Sequence, residues 1–176
     1  MAAAPNLKMP NYRRDYSYST WFFTVVTHKR MPILTKETSR EILRSAISIC
    51  RLSYPFEIDA WVLLPDHLHC IWTLPEADKD YSRRWSFIKR KFTQSLRSIQ
   101  NVTPPFWQKR FWAQAILDDH DFEDHMNYIH YNPVRHGYVK SPNEWVWTSF
   151  HRLVKSGMYP SDWGSDVEIA GTIGRE

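Results

Sequence analysis

The segment Asp66-His67-Leu68-His69-Cys70-Ile71-Trp72 sets two imidazoles two residues apart in a run that otherwise reads as a buried strand. Side chains alternate across a strand with a period of two. His67 and His69 therefore share one face with Ile71 and Thr73, while Leu68, Cys70, Trp72 and Leu74 share the other. The second set is a core face. The first begins with two imidazoles whose Cα atoms lie roughly 6.6 Å apart, a geometry that a divalent metal can use. Taken alone, the pair also suits two hydrogen-bonded histidines with no ligand. A metal site needs a third donor and a reason for the metal.

A second constellation is His125-Met126-Asn127-Tyr128-Ile129-His130-Tyr131-Asn132-Pro133. On a helix, Tyr128 and Asn132 stand at i and i+4 and share a face. Tyr128 is a potential nucleophile, and Asn132 is a neutral oxygen donor. With that face against the histidine face of the sheet, a metal held by His67, His69 and the Asn132 side-chain oxygen sits roughly 5 to 6 Å from Tyr128. A metal-bound phosphate would then face a hydroxyl. The plainer alternative is a partly buried tyrosine and a helix-ending asparagine. Tyr131 is a rival nucleophile, but it directly precedes Asn132 and lies roughly 100° around the helix from it. His125 and His130 are near enough in sequence to serve as proton carriers.

The elements that must position these residues follow from periodicity. Ser19–Thr27 is rich in aromatic and β-branched residues and reads as a strand. His28–Leu34 reads as a loop. Thr38-x-x-Glu41 suggests a capping box, followed by Ile42, Leu43, Ala46, Ile49 and Cys50 at helical spacing. That helix should stop before Tyr54-Pro55. Phe56–Leu64 alternates, with Phe56, Ile58, Ala60, Val62 and Leu64 on one side. Pro65-Asp66 turns into the histidine strand, 67–74, antiparallel to it. Trp85, Ile88, Phe92, Leu96 and Ile99 mark an amphipathic helix over 82–100. Residues 106–117 enter another strand. Asp118, Asp119 and Asp121 are N-cap candidates for a helix running to about Asn132, with Phe122, Met126 and Ile129 as its stripe. Pro133 and Gly137 break that pattern, and a short helix is expected within 147–156. The order β-α-β-β-α-β-α predicts an α+β, ferredoxin-like two-layer domain: an antiparallel sheet with helices on one face. Three segments are expected: a basic N-terminal arm (1–16), a catalytic domain (17–140) and an aromatic tail packing on it (141–176).

The chain has 176 residues, and 43% of them are hydrophobic, which suits one domain with a sizeable core. Its 23 Lys+Arg against 19 Asp+Glu leave a net charge of +4, so the placement of charge matters more than its total. Nine tryptophans are unusual in one small domain; some must be core, and tryptophan is also a platform for stacking bases. Two cysteines make no secreted disulfide framework. No segment approaches a membrane span, and the N-terminus does not read as a signal peptide. A cytoplasmic protein is the expectation.

His67-Leu68-His69 is the His-hydrophobic-His motif of HUH nucleases. The ordered set WFFTV, PFEIDAWVLLPDHLHCIWTLPE, WQKRFWAQAI and YIHYNPVRHGYV resembles the REP-associated tyrosine transposases, which are domesticated relatives of single-tyrosine insertion-sequence transposases. The resemblance runs from about Tyr12 to Trp163. It implies cleavage and rejoining of single-stranded DNA at repetitive palindromes through a 5′-phosphotyrosine. The substrate would be single-stranded or hairpin DNA with a short motif at the hairpin foot. It also implies a monomer and a divalent metal, Mg²⁺ or Mn²⁺. It carries the nucleophile onto Tyr128 and metal ligands onto His67 and His69. Insertion-sequence relatives commonly place a glutamine where this chain has Asn132, a departure in the third ligand.

DNA contacts have separate candidates. The 82–100 helix arrays Arg83, Arg84, Lys89, Arg90, Lys91 and Arg97 around its apolar stripe, which suits phosphate contacts as well as a merely solvated face. Arg13 and Arg14 of the arm could read a hairpin foot. Lys109, Arg110 and Arg135 lie near the proposed site, and Trp107 and Trp112 could stack on unpaired bases. Two alternatives compete: a non-catalytic DNA- or RNA-binding regulator on the same fold, and a metallohydrolase of small phosphoesters. The second would want more acidic or histidine ligands than HLHCIW offers.

Overall fold

A computed structural model of the chain describes residues 19–100 and 103–165. Four strands, β1 (Thr20–Val26), β2 (Glu57–Leu63), β3 (His67–Thr73) and β4 (Trp112–Ala115), form one sheet in the order β2-β3-β1-β4. Every neighbouring pair is antiparallel. Between them run α1 (Glu37–Ser53) and α2 (Tyr81–Gln100), and after β4 come α3 (Asp119–Arg135) and the short α4 (Phe150–Lys155). This is the expected ferredoxin-like arrangement. No described helix is long and apolar enough to cross a membrane.

The period-two rule sorts the two faces of the sheet. Leu68, Cys70, Trp72 and Leu74 meet α1 and α2, whose Ala46, Cys50, Trp85, Ile88, Phe92 and Leu96 are buried against them. Each large apolar side chain so buried contributes roughly 1.5–3 kcal/mol. Trp72 and Trp85 stack at 4.2 Å, joining β3 to α2. Ile71, Phe22, Ala60 and Val62 point to the opposite face, where Phe122, Met126 and Ile129 of α3 cover them. The ferredoxin-like helices thus take one face, and α3 takes the face that carries His67 and His69.

Four local expectations are corrected. The strand β2 does not keep a single alternation. Its register against β3 shifts between Ile58 and Ala60, so Ile58 packs towards α1 and α2 while Ala60 faces α3. Asp59 is the extra residue of a bulge, which re-aims side chains on the strand. The Thr38–Glu41 capping box does not form: α1 begins at Glu37, behind Lys36, with no side-chain cap. Ile49 and Ile99, placed in apolar stripes by spacing, are 42% and 62% exposed because they fall at the margins of those stripes. Pro133 does not end α3. It lies in the last turn, where a missing N–H costs one ladder bond rather than a helix. The stop is a Schellman motif around Gly137, at φ 71°, with Tyr138 N–H donating to the Pro133 carbonyl and Gly137 N–H to that of Val134. At the other end Asp118 is the N-cap and accepts from the Asp121 N–H.

The aromatic tail completes the outer side of β2. Leu63 N–H donates to the Trp147 carbonyl and Ser149 N–H to that of Trp61, so a would-be edge strand is paired. Trp145, Phe150, Tyr159 and Trp163 join the α3 core.

Candidate active site

The histidine face and α3 enclose a small group of buried rings. His67 and His69 are 1% and 0% exposed, and their ring centroids are 5.0 Å apart. Tyr128, 4% exposed, meets His69 nearly edge-on, with centroids 5.1 Å apart and planes at 74°. Phe22 of β1 stacks on His69 at 5.7 Å and touches Tyr128 edge-on at 5.9 Å, fixing both rings. Asn132 lies one turn beyond Tyr128 and is fully buried. Tyr131 instead turns towards the tail, its ring edge-on to Trp163 at 6.4 Å.

Each imidazole is held from behind. Asp66 Oδ1 lies 2.6 Å from His67 Nδ1. A carboxylate can only accept, so Nδ1 donates, and Nε2 is the atom that can coordinate. Burial alone would raise the Asp66 carboxyl, but hydrogen bonds and positive charge from His67 and Arg30 outweigh it and hold it below its ordinary value. Arg30 Nη1 is 3.1 Å from Asp66 Oδ2. His69 Nδ1 is 2.9 Å from Thr24 Oγ1 of β1, and His69 Nε2 is buried with no hydrogen-bond partner. Burial, then the nearby charges of His67, His136, Arg135 and Arg30, hold His69 well below the ordinary imidazole value. It is therefore a neutral ring with a lone pair in the interior, the state a metal ligand requires. A carboxylate behind a ligating histidine, as Asp66 stands behind His67, is a usual second layer of a metal site.

The donor set fits a divalent ion bound jointly with substrate. Among the described residues no three His, Cys, Asp or Glu side chains converge on a metal site. The chain would offer the two Nε2 atoms and the Asn132 oxygen, leaving room for phosphate oxygens and water.

Residues 16–132 match the family described as "Transposase IS200 like". The chain belongs to the IS200-like transposase family. It is 48% identical to the REP-associated tyrosine transposase of Escherichia coli K12 over 161 residues, covering 90% of this chain and 93% of that one. A Haemophilus influenzae protein given the same description provisionally is 41% identical over 177 residues, covering 94% of this chain and 100% of its own. A solved structure of a REP-associated tyrosine transposase bound to a REP hairpin superposes with a TM-score of 0.78 at 46% identity. It covers 96% of this chain and 99% of that one. The resemblance read from the motifs and the ferredoxin-like fold are thus both shown.

The basic candidates divide. Arg84 is corrected: it is 1% exposed and points inward. Its guanidinium is bound by the Asp78 carboxylate at 2.7 and 3.2 Å and by the carbonyls of Pro55 and Asp80 at 2.7 and 3.0 Å. It ties the start of α2 to neighbouring loops and cannot meet a phosphate. Lys89 is a bridge, its Nζ donating to the Gln108 carbonyl at 3.2 Å above the Phe111 ring, and burial pushes the amine down to about 8. Arg83, Arg90, Lys109 and Arg110 are exposed, and Lys91 is half-buried. Arg13 and Arg14 lie outside the described residues. Trp107 is buried against Phe92 and offers no stacking face, whereas Trp112 is 38% exposed.

His125 and His130 are both buried. His130 is bound by Ser149 Oγ at 2.9 Å and Tyr159 Oη at 3.3 Å, and burial with the Arg152 charge lowers it to about 3. It is a core crosslink between α3 and the tail. Sequence reasoning did not single out Thr24, Asp66 or His136, whose ring lies 5.1 Å from that of His67. Asp66 was visible as the residue preceding the motif. Thr24 needed the β1–β3 register, which sets it opposite His69.

Proposed function

We propose that this protein cleaves and rejoins single-stranded DNA at hairpins formed by repetitive palindromes, using Tyr128 as the nucleophile and His67, His69 and Asn132 as ligands for Mg²⁺ or Mn²⁺. The observation that carries the reading is the contact between the Tyr128 ring and His69. It lies in a chain nearly half identical to a REP-associated tyrosine transposase over nine-tenths of its length.

A phenol has an ordinary pKa near 10 and is a poor nucleophile at neutral pH. Positioning must supply much of the rate. Phe22 and His69 fix the Tyr128 ring, and Arg135 stands 5.5 Å over it, setting a cation beside the attacking group. The bound ion would supply Lewis-acid polarisation of a non-bridging phosphate oxygen. Tyr128 Oη attacks phosphorus as its proton departs. The P–O3′ bond breaks, and the leaving oxygen takes up a proton to become a 3′-hydroxyl. A 5′-phosphotyrosine remains. Attack by another 3′-hydroxyl reverses these bonds and releases Tyr128, so joining needs no ATP.

Affinity would come from phosphate contacts by Arg83, Lys89, Arg90, Lys91, Lys109 and Arg110, with Arg13 and Arg14 of the arm near the hairpin foot. Such a protein would act at the nucleoid, as a monomer. The test is to mix the protein with hairpin DNA and Mn²⁺ and separate the products on a denaturing gel. A covalent protein–DNA adduct that a chelator prevents is expected. Hairpin binding without any adduct or cleavage would leave a binding protein and refute the reading.

A further inference from the structure

Trp61 stands on the α1 side of the sheet, opposite Cys70, on a face that helices should cover. It is nevertheless 37% exposed. Beside it a cleft of about 310 Å³ opens between α1, β2 and the tail, lined by Arg40, Arg44, Arg51, Trp61 and Trp147 and floored by the apolar side of β3. No carboxylate lines it. The cleft lies across the sheet from Tyr128, so it is separate from the site described above.

Its chemistry is built rather than incidental. Trp147 is brought there because the tail pairs with the edge of β2. The Arg40 guanidinium lies 5.2 Å over the Trp147 ring while its Nε donates to the Thr35 carbonyl at 3.1 Å. Arg51 Nε donates to the Phe56 carbonyl at 2.9 Å. Two of the three cations are therefore held in place by backbone carbonyls. Arg44, one turn after Arg40, is exposed on the rim.

An exposed indole flanked by arginines, with no acid among the described lining residues, matches a flat base joined to phosphates. The volume is at the lower end of pockets that enclose a small molecule, roughly 300–1,000 Å³. A stable protein partner would instead bury roughly 800 Å² of surface on each side.

We infer that this cleft holds one unpaired nucleotide of the single-stranded DNA flanking the hairpin, its base on Trp61 and its phosphates on Arg40, Arg44 and Arg51. The inference rests on the DNA-processing reading above, and it adds a grip on the flanking strand remote from the cleavage site.

Trp61→Ala and Arg44→Ala alter exposed side chains and should fold. Their affinities are compared with wild type by fluorescence anisotropy, on a hairpin with and without a twelve-nucleotide single-stranded extension of mixed sequence, and on that extension alone. The extension should tighten wild-type binding. Trp61→Ala should lose about fivefold or more on both extended and single-stranded DNA, the lower bound for one lost base stack. Arg44→Ala should lower the log–log salt slope by about 0.7. Equal affinities for wild type and variants overturn the inference. So does a loss that is the same with and without the extension, or full competition by thymidine monophosphate at the oligonucleotide's own concentration. Adduct formation by the wild type is measured in parallel. Its absence, with variant-sensitive single-strand binding intact, would sink the cleavage reading and leave the cleft standing.

Discussion

Thr24→Val removes one oxygen from behind His69 and keeps the shape of the side chain. Thr24 is 1% exposed, and its Oγ1 is 2.9 Å from His69 Nδ1. Valine leaves that nitrogen buried with no partner in place of the hydroxyl, at a cost of about 1–3 kcal/mol. A domain of this size has roughly 5–15 kcal/mol of stability, so the variant should fold with a lowered urea midpoint. The larger effect falls on function. With Nδ1 no longer anchored, the His69 ring loses its aim, and loss of such a partner typically costs 10–100-fold in metal affinity or activity. Cleavage rate is measured against Mn²⁺ concentration. The variant should need about tenfold or more metal for half-maximal rate, while hairpin affinity in the absence of metal stays at the wild-type value. Thr24→Ser keeps the oxygen and should recover most of the loss. Wild-type metal dependence in Thr24→Val, or a serine variant as impaired as the valine one, would refute the assignment of Thr24 as the residue that positions His69.

Two further predictions concern the fold and the basic face. His130 is depressed to about 3 against an ordinary 6.5, so the unfolded chain binds more protons than the native one between those values. Stability must therefore fall as pH drops through that window, by at least about 1.4 kcal/mol, the worth of one pKa unit. Denaturant titrations of His130→Gln should show a flatter pH dependence, and identical slopes would count against a neutral buried His130. Arg84→Ala should lower stability by about 1.5–3 kcal/mol with little change in salt slope, because its partners are Asp78 and two carbonyls. Arg90→Glu should do the reverse, reducing the log–log slope by about 0.7 or more with little change in urea midpoint.

The histidine strand was legible because alternation by two leaves little freedom: once Leu68, Cys70 and Trp72 face the core, His67 and His69 must share the other side. The stripe of α2 was legible for the same kind of reason. Elements whose outcome depends on distant neighbours were not. The bulge at Asp59 leaves no mark in the alternation of Phe56 to Leu64, yet it sends Ile58 and Ala60 to opposite faces. Pro133 reads as a stop, but the helix end is set by Gly137 and the carbonyl of Pro133 itself. Arg84 is one of several basic residues on its helix, and only tertiary packing distinguishes it from Arg83 and Arg90. In the site, Tyr128 and the two histidines came from local spacing. Thr24 came only from the pairing of β1 with β3, which no local pattern encodes.

The central claim is that Tyr128, and not Tyr131, forms the bond to DNA. The direct measurement is a denaturing gel of labelled hairpin DNA with Mn²⁺ and each of three proteins: wild type, Tyr128→Phe and Tyr131→Phe. Phenylalanine keeps the buried ring of Tyr128 against Phe22 and His69 and removes only the attacking oxygen. Wild type and Tyr131→Phe should give a shifted covalent band, and Tyr128→Phe should bind the hairpin but give neither band nor cleavage. A band that persists in Tyr128→Phe and disappears in Tyr131→Phe would contradict the account.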